Sequence, residues 1–84
     1  MTPDEVLNLM KAYFADKQPA EVLDTFAEQR PKALLTQSLD VVDFVVYLEE
    51  ELEREIDIQQ LGEAIISKNF GELSVEVSRI LAEG

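Results

Sequence analysis

The fold is decided by one continuous stretch, Ser38-Leu39-Asp40-Val41-Val42-Asp43-Phe44-Val45-Val46-Tyr47-Leu48-Glu49-Glu50-Glu51-Leu52. Its β-branched and aromatic content is typical of a buried strand. Its spacing favours a helix, because apolar residues recur at i, i+3, i+4, i+7 and i+11 and good helix formers follow without a turn signal. We therefore predict a helix from about Ser38 to Glu55, with a core face made of Val41, Phe44, Val45, Leu48 and Leu52.

Further helices are indicated on both sides of this stretch. The capping box Thr2-Pro3-Asp4-Glu5 begins a first helix that extends to about Ala15. Prolines punctuate the segment from Asp16 to Gln37, which predicts a long connection with one or two helical turns. A third helix runs from Ile58 to about Ser67, and a last helix follows Asn69 and Gly71.

The apolar residues of these helices fall on stripes at helical spacing, which predicts the faces that pack into a core. We expect the core to include Val6, Leu7, Met10, Tyr13 and Phe14 in the first helix, Ile58, Leu61 and Ile65 in the third, and Leu73, Val77, Ile80 and Leu81 in the last. The sequence therefore predicts an all-α bundle of three main helices plus one or two short helices, in a single domain over residues 1–84.

The composition narrows the possible functions. The chain has no histidine and no cysteine, which removes the usual general base, the thiol nucleophile and the commonest metal ligands. It is 46% hydrophobic, too apolar for a disordered acidic tail. We therefore expect a folded protein that is not an enzyme and has no metal site.

The net charge of −11 is large for a domain of this size and is unevenly distributed. Residues 1–37 have a net charge of −2 and residues 38–84 have −9. Such a charge repels nucleic-acid phosphates and anionic lipids, so we expect basic protein surfaces as partners. The longest apolar run, Phe44 to Leu48, is far too short to span a membrane, and no N-terminal targeting segment is visible. We expect a soluble, monomeric, cytoplasmic protein.

The helix after Ser38 has apolar residues that its core face does not use. Leu39, Val42 and Val46 lie on the opposite side, with acidic residues around them. Scattered exposed apolar residues and charged faces are ordinary, so a solvated surface is one interpretation. A docking helix for a partner with a basic rim and an apolar groove is the other.

Ser38 also has two interpretations. A serine at the start of a helix is most often a cap that accepts a free backbone N–H. A serine at the start of an acidic helix is also a candidate site of modification, although position alone favours the cap.

The residues from Ser38 to Leu52 resemble the modification site and second helix of acyl carrier proteins, in which the pattern D-S-L-D precedes an apolar and acidic helix with a glutamate run. The resemblance extends to Leu34 before the serine, to Ile56 after the helix, and to the apolar positions Phe70, Leu73, Val77 and Ile80. It covers residues 34–56 well, the last helix moderately, and the first helix by pattern only.

This resemblance implies a function and a set of site residues. Ser38 would be esterified by 4′-phosphopantetheine, transferred from coenzyme A by a separate Mg²⁺-dependent phosphopantetheinyl transferase. The thiol of this arm would hold acyl groups as thioesters for partner enzymes of fatty acid, lipid or related biosynthesis. The resemblance assigns partner contacts to the apolar Leu39, Val42 and Val46 and to the acidic Asp40, Asp43, Glu49 and Glu50.

Three departures from the family pattern leave a second function open. Gln37 replaces the usual aspartate before the serine, Leu35 replaces a common glycine, and the segment between Ile56 and Phe70 is longer than in a typical fatty acid carrier. Gln37 is neutral and caps helices poorly, which puts the local turn and recognition by the transferase in question. The departures favour a specialised pathway, and the alternative is an unmodified adaptor that binds basic surfaces through the acidic helix.

Overall fold

The computed structural model describes residues 1–83, apart from the side chain of residue 58, and the helices follow from local signals in the sequence. The helical elements, in chain order, are α1 (Pro3–Phe14), α2 (Ala20–Asp24), a 3₁₀ turn (Phe26–Glu28), α3 (Pro31–Leu34), α4 (Ser38–Leu52), α5 (Ile58–Ser67) and α6 (Phe70–Glu83). The predicted all-α bundle is thereby confirmed. The radius of gyration is 11.7 Å, close to the value of about 12 Å expected for a compact chain of this length.

Helices α1 and α6 begin with reciprocal caps. At α1, the Glu5 N–H donates to the Thr2 hydroxyl at 3.3 Å, and the Thr2 N–H donates to the Glu5 carboxylate at 2.9 Å. At α6, Asn69 and Glu72 exchange the same two kinds of hydrogen bond, at 2.8 and 3.1 Å. Each pair satisfies backbone donors that a helix start leaves free, which explains why α6 begins at Phe70 and includes Gly71.

One predicted helix end needs correction. Helix α4 ends at Leu52, three residues before Glu55, whereas α1 ends at Phe14 with Ala15 as its cap, as predicted. Glu53 has a left-handed backbone, with φ at 54°, and this conformation stops the helix although the following residues are good helix formers. In the turn that follows, Arg54 bonds to the Leu81 carbonyl and the Ile56 N–H bonds to the Glu49 carboxylate. These contacts outweigh helix propensity here.

The core is formed by the apolar stripes of α1, α4, α5 and α6. Helix α1 packs most extensively against α6 and also contacts α4, while α5 contacts α3 and α6. The predicted core residues are buried or half-buried, apart from Ile58, whose side chain lies outside the described residues. The connection between α1 and α4 also supplies core residues, with Phe26 and Leu35 buried.

All six aromatic residues of the chain belong to one cluster in this core. Phe14 is its centre, with ring centroids 4.9 to 5.7 Å from those of Tyr13, Phe26, Phe44 and Phe70. Phe26 and Phe70 are stacked at 4.2 Å, and Tyr47 joins through Tyr13 at 5.0 Å. The connection after α1 is thus fixed to α4 and α6 through aromatic contacts.

Candidate functional site

The candidate site begins at Ser38, the first residue of α4. The cap position belongs to Gln37, whose backbone is extended, so the interpretation of Ser38 as the helix cap does not hold. The Ser38 side chain is exposed. The other serines each donate their hydroxyl to a backbone carbonyl, Ser67 to Glu63, Ser74 to Gly71 and Ser78 to Met1, whereas Ser38 makes no such bond within residues 1–83.

The turn before Ser38 forms without the residues that are usual in the family. The Asp40 carboxylate accepts the Gln37 N–H at 3.3 Å, and the Asp40 N–H donates to the Gln37 carbonyl at 3.0 Å. Leu35 has φ at −107°, which any residue adopts, and its side chain is buried in the core. The turn therefore needs neither an aspartate at Gln37 nor a glycine at Leu35.

The surroundings of Ser38 fit a phosphate ester. The first N–H groups of a helix have no intrahelical acceptor, and the fifteen residues of α4 give its N-terminus a partial positive charge. An anionic group on the exposed Ser38 oxygen would lie in this field, which typically stabilises an anion by about 0.3–1 kcal/mol. The Asp40 carboxylate offsets part of this positive charge, because it already accepts the Gln37 N–H.

The outward face of α4 is exposed as its spacing predicts. Leu39 is 73% exposed, Val42 is 45% and Val46 is 43%, whereas Val45 on the inner face is 3% exposed. Asp43 and Glu50 are exposed beside these apolar residues. The first turn of α4 and this face therefore combine a free hydroxyl, three accessible apolar side chains and carboxylates.

Glu49 differs from its exposed neighbour Glu50. Its side chain is half-buried, and its carboxylate accepts the Ile56 N–H at 2.9 Å. Its backbone carbonyl also accepts the Arg54 N–H at 3.1 Å. Glu49 therefore stabilises the turn after α4, in addition to the partner contact that the resemblance implies.

The turn that follows α4 forms an acidic groove. It has a volume of about 710 Å³ and is lined by Val46, Glu49, Glu50, Glu53, Arg54, Glu55, Ile56 and Asp57. Arg54 fixes the turn to the end of α6, because its guanidinium donates to the Leu81 carbonyl at 2.7 Å. The sequence did not predict that Glu55 and Asp57 lie beside the outward face of α4, because their position depends on this turn.

Tyr47 lies at the border between the two faces of α4. Its hydroxyl donates to the Leu9 carbonyl of α1 at 2.9 Å. Partial burial raises the pKa of the phenol, and the negative charge of Glu51 raises it further. The hydrogen bond connects α4 to α1, in addition to the core contacts between the two helices.

Similarity to known proteins assigns no function to this chain. No protein-family model, curated protein or solved structure matches this chain. Within residues 1–83, no helix is long and apolar enough to cross a bilayer. In the same part of the chain, no three acidic side chains converge into a group that could hold a metal ion.

Proposed function

We propose that this protein is an acyl carrier protein that holds acyl groups as thioesters on a 4′-phosphopantetheine arm attached to Ser38. The observation that supports this most is the exposed Ser38 hydroxyl in the first turn of α4, next to an exposed apolar and acidic face. The chain has no thiol and no imidazole of its own. A reactive sulfur supplied by the arm, and catalysts supplied by partners, fit such a composition.

The attachment reaction is a group transfer from coenzyme A. The Ser38 oxygen forms a bond to the phosphorus next to pantetheine, and the pyrophosphate bond breaks. Adenosine 3′,5′-bisphosphate leaves, and the hydroxyl proton passes to a base of the transferase or to water. Ser38 is an attachment point that the partner activates, because no base of this chain bonds to its hydroxyl within residues 1–83.

The outward face of α4 is the proposed contact surface for the transferase and for acyl-transferring or acyl-modifying enzymes. Leu39, Val42 and Val46 offer exposed apolar area that a partner surface would bury. The surrounding carboxylates complement a basic partner surface and accelerate encounter. Asp43 and Glu50 are the acidic residues best suited to this role, because both are exposed.

Intact-mass analysis after incubation with coenzyme A and a phosphopantetheinyl transferase tests the attachment. We expect one added phosphopantetheine on the wild-type protein and none on Ser38→Ala. The matched control is Ser78→Ala, which removes another serine but should still accept the arm. An unmodified wild-type protein with its native transferase would refute the carrier proposal, and an arm on Ser38→Ala would place the attachment elsewhere.

An unmodified adaptor is the second candidate function, and the acidic groove after α4 favours it. This groove has carboxylates around Val46 and Ile56 and extends the outward face away from Ser38. An adaptor would bind a basic partner equally well with Ser38→Ala, whereas a carrier would lose its cargo in that variant. Gln37 also favours the adaptor, because it replaces the usual aspartate next to the serine.

Charge reversal on the outward face separates electrostatic steering from other effects. In either function, Asp43→Lys and Glu50→Lys should slow association with a basic partner more than they accelerate dissociation, and added salt should weaken wild-type binding. Glu49→Lys should show the same kinetic effect together with a loss of stability, because its carboxylate caps the Ile56 N–H. Stopped-flow association rates that do not respond to ionic strength would contradict the proposed steering.

A further inference from the structure

Two segments of this acidic chain contain no acidic residue. Residues 29–39 lead through α3 into α4, and residues 64–71 join the end of α5 to the start of α6. Together they contain three of the seven basic residues of the chain, Arg30, Lys32 and Lys68. In a protein with a net charge of −11, positive charge is therefore concentrated in these two segments.

The fold places the two segments side by side. The Arg30 guanidinium donates to the Ser67 carbonyl, at the end of α5, at 3.1 Å. The Phe70 N–H donates to the Gln29 carbonyl at 2.9 Å, and α3 packs against α5. Because Lys68 directly follows Ser67, basic residues from both segments meet at the end of α5.

The three basic side chains keep donors that could bind a ligand. Within residues 1–83, none of them forms an ion pair with an acidic side chain. Arg30 uses an N–H for a backbone carbonyl, and a guanidinium has five such donors. Arg30 and Lys32 are exposed, and Lys68 is half-buried. The pKa of Glu76 is lowered by its hydrogen bond to Arg79 and also by the charge of Lys68, so Lys68 lies at the border of this positive surface.

An exposed apolar side chain lies next to these basic residues. Ile66 directly precedes Ser67, whose carbonyl Arg30 contacts, and it is 64% exposed, more than Val42 or Val46 on the outward face of α4. The adjacent Ile65 is buried in the core, so packing accounts for one of the two isoleucines and not for the other. The basic patch is defined as Arg30, Lys32, Ile66 and Lys68.

We propose that the basic patch is a docking surface for an acidic protein segment that has an apolar side chain among its carboxylates. Charge complementarity argues for this occupant, because guanidinium and ammonium groups pair with carboxylates. Ile66 offers apolar area that a side chain of such a segment would bury. An extended anionic surface, such as a membrane or a nucleic acid, would also face the many carboxylates of this chain and be repelled by them.

This inference goes beyond the proposed function, because it adds a second surface whose partner has the opposite charge. The outward face of α4 is acidic and suits a basic partner, whereas the basic patch suits an acidic one. The patch does not depend on an arm at Ser38, so it can be tested on the unmodified protein.

An NMR titration of the full, isotope-labelled chain tests the patch with a defined probe, a short peptide of glutamate and leucine. We expect amide shift changes at residues 30–33 and 66–68 and none on the outward face of α4. A peptide with lysine in place of glutamate should leave residues 30–33 and 66–68 unshifted. Added salt should weaken binding of the acidic peptide, because it screens exposed charges.

Two variants with matched controls separate charge from apolar contact. Lys32→Glu reverses a charge in the patch, and Lys17→Glu makes the same change at an exposed lysine outside it. Ile66→Ser removes the exposed apolar side chain, and Val75→Ser does the same on α6, where Val75 is 55% exposed. We expect each patch variant to weaken binding of the acidic peptide by about tenfold, and each control to bind like the wild-type protein.

Several outcomes would overturn the inference. No binding of the acidic peptide at low salt, or unchanged affinity in Lys32→Glu and Ile66→Ser, would show that the patch is not a docking surface. Shifts at the patch with phosphatidylserine vesicles but not with the peptide would assign it to a membrane. Dimers in sedimentation equilibrium that Lys32→Glu abolishes would make a second copy the occupant. The mass measurement at Ser38 is independent of these results, so a failure here leaves the carrier proposal unaffected.

Discussion

The two faces of α4 are built from the same kinds of residue but have opposite surroundings. Val45 is 3% exposed on the inner face, and its neighbour Val46 is 43% exposed on the outer face. Phe44 and Leu48 are fully buried with Val45, whereas Leu39 and Val42 are exposed with Val46. Folding explains the inner set through burial, but it gives no reason for three apolar side chains on the outer face.

This difference separates residues that maintain the helix bundle from residues that are free to bind. The inner face contacts the aromatic core and can hardly change without loss of stability. The outer face is accessible and acidic, which suits contact with a basic partner. Single substitutions on each face of α4 therefore test this separation.

The largest effect is expected for Phe44→Ala on the inner face. Removing this buried ring should lower the free energy of unfolding by about 3–5 kcal/mol, because a cavity remains among the other aromatic residues. The matched outer variant, Val46→Ala, should change it by no more than about 0.5 kcal/mol. Urea denaturation followed by circular dichroism measures both, and similar losses in the two variants would remove the distinction between the faces.

The next effect concerns Glu49 and Glu50, adjacent acids with different environments. Glu49→Ala should lower stability by about 1–2 kcal/mol, because the half-buried Ile56 N–H loses a charged acceptor. Glu50→Ala should leave stability unchanged within about 0.5 kcal/mol, since Glu50 is exposed. Urea denaturation of both variants in the same buffer measures their free energies of unfolding. Equal values would show that the Glu49 hydrogen bond adds nothing to stability.

Tyr47, at the border of the faces, should show a smaller effect together with a pH dependence. Tyr47→Phe removes the hydrogen bond to Leu9 and should cost about 1 kcal/mol. The pKa of Tyr47 is raised in the folded protein, so folding favours the neutral phenol. The stability that Tyr47 contributes is therefore complete below about pH 10, the ordinary pKa of tyrosine, and is lost as the pH rises through the pKa of the folded protein. Thermal melts from neutral pH upward should therefore converge for wild type and Tyr47→Phe. A difference in melting temperature that stays constant with pH would contradict the stabilising role of the neutral Tyr47 hydroxyl.

The smallest effect is expected at Glu53, where α4 ends. A left-handed backbone is unfavourable for glutamate and easy for glycine, so Glu53→Gly should raise stability by about 0.5–1 kcal/mol. The control is Glu51→Gly inside the helix, which should lower stability by about 1 kcal/mol. Urea denaturation of both variants measures the changes. A lower stability of Glu53→Gly would show that the Glu53 side chain stabilises the protein by more than its left-handed backbone costs.

Much of the fold could be predicted from local patterns. The capping box at Thr2, the helix from Ile58 to Ser67 and the inner face of α4 match the structure, because caps and helical spacing act over a few residues. The exposure of Leu39, Val42 and Val46 follows from the same spacing. Predictions of the arm, the cargo and the partners remain proposals, since these depend on molecules outside the chain.

Other features could not be predicted, because they depend on contacts that helical spacing and capping patterns do not contain. The end of α4 at Leu52 depends on the hydrogen bond of Arg54 to Leu81 and on the Glu49 carboxylate that accepts the Ile56 N–H. The burial of Phe26 depends on its stacking against Phe70. No local pattern contains these pairs, so helix propensity extended α4 too far and left the connection undefined.

The helices, the two faces of α4 and the position of Ser38 at the start of an acidic helix follow from the order of the residues, because a helix of fixed pitch places each side chain at a known angle. The end of α4 at Leu52, the half-burial of Glu49 and the filling of the core by aromatic side chains depend on the complete fold. Packing between distant segments sets these features, since each buried group needs a partner that only the complete fold brings near.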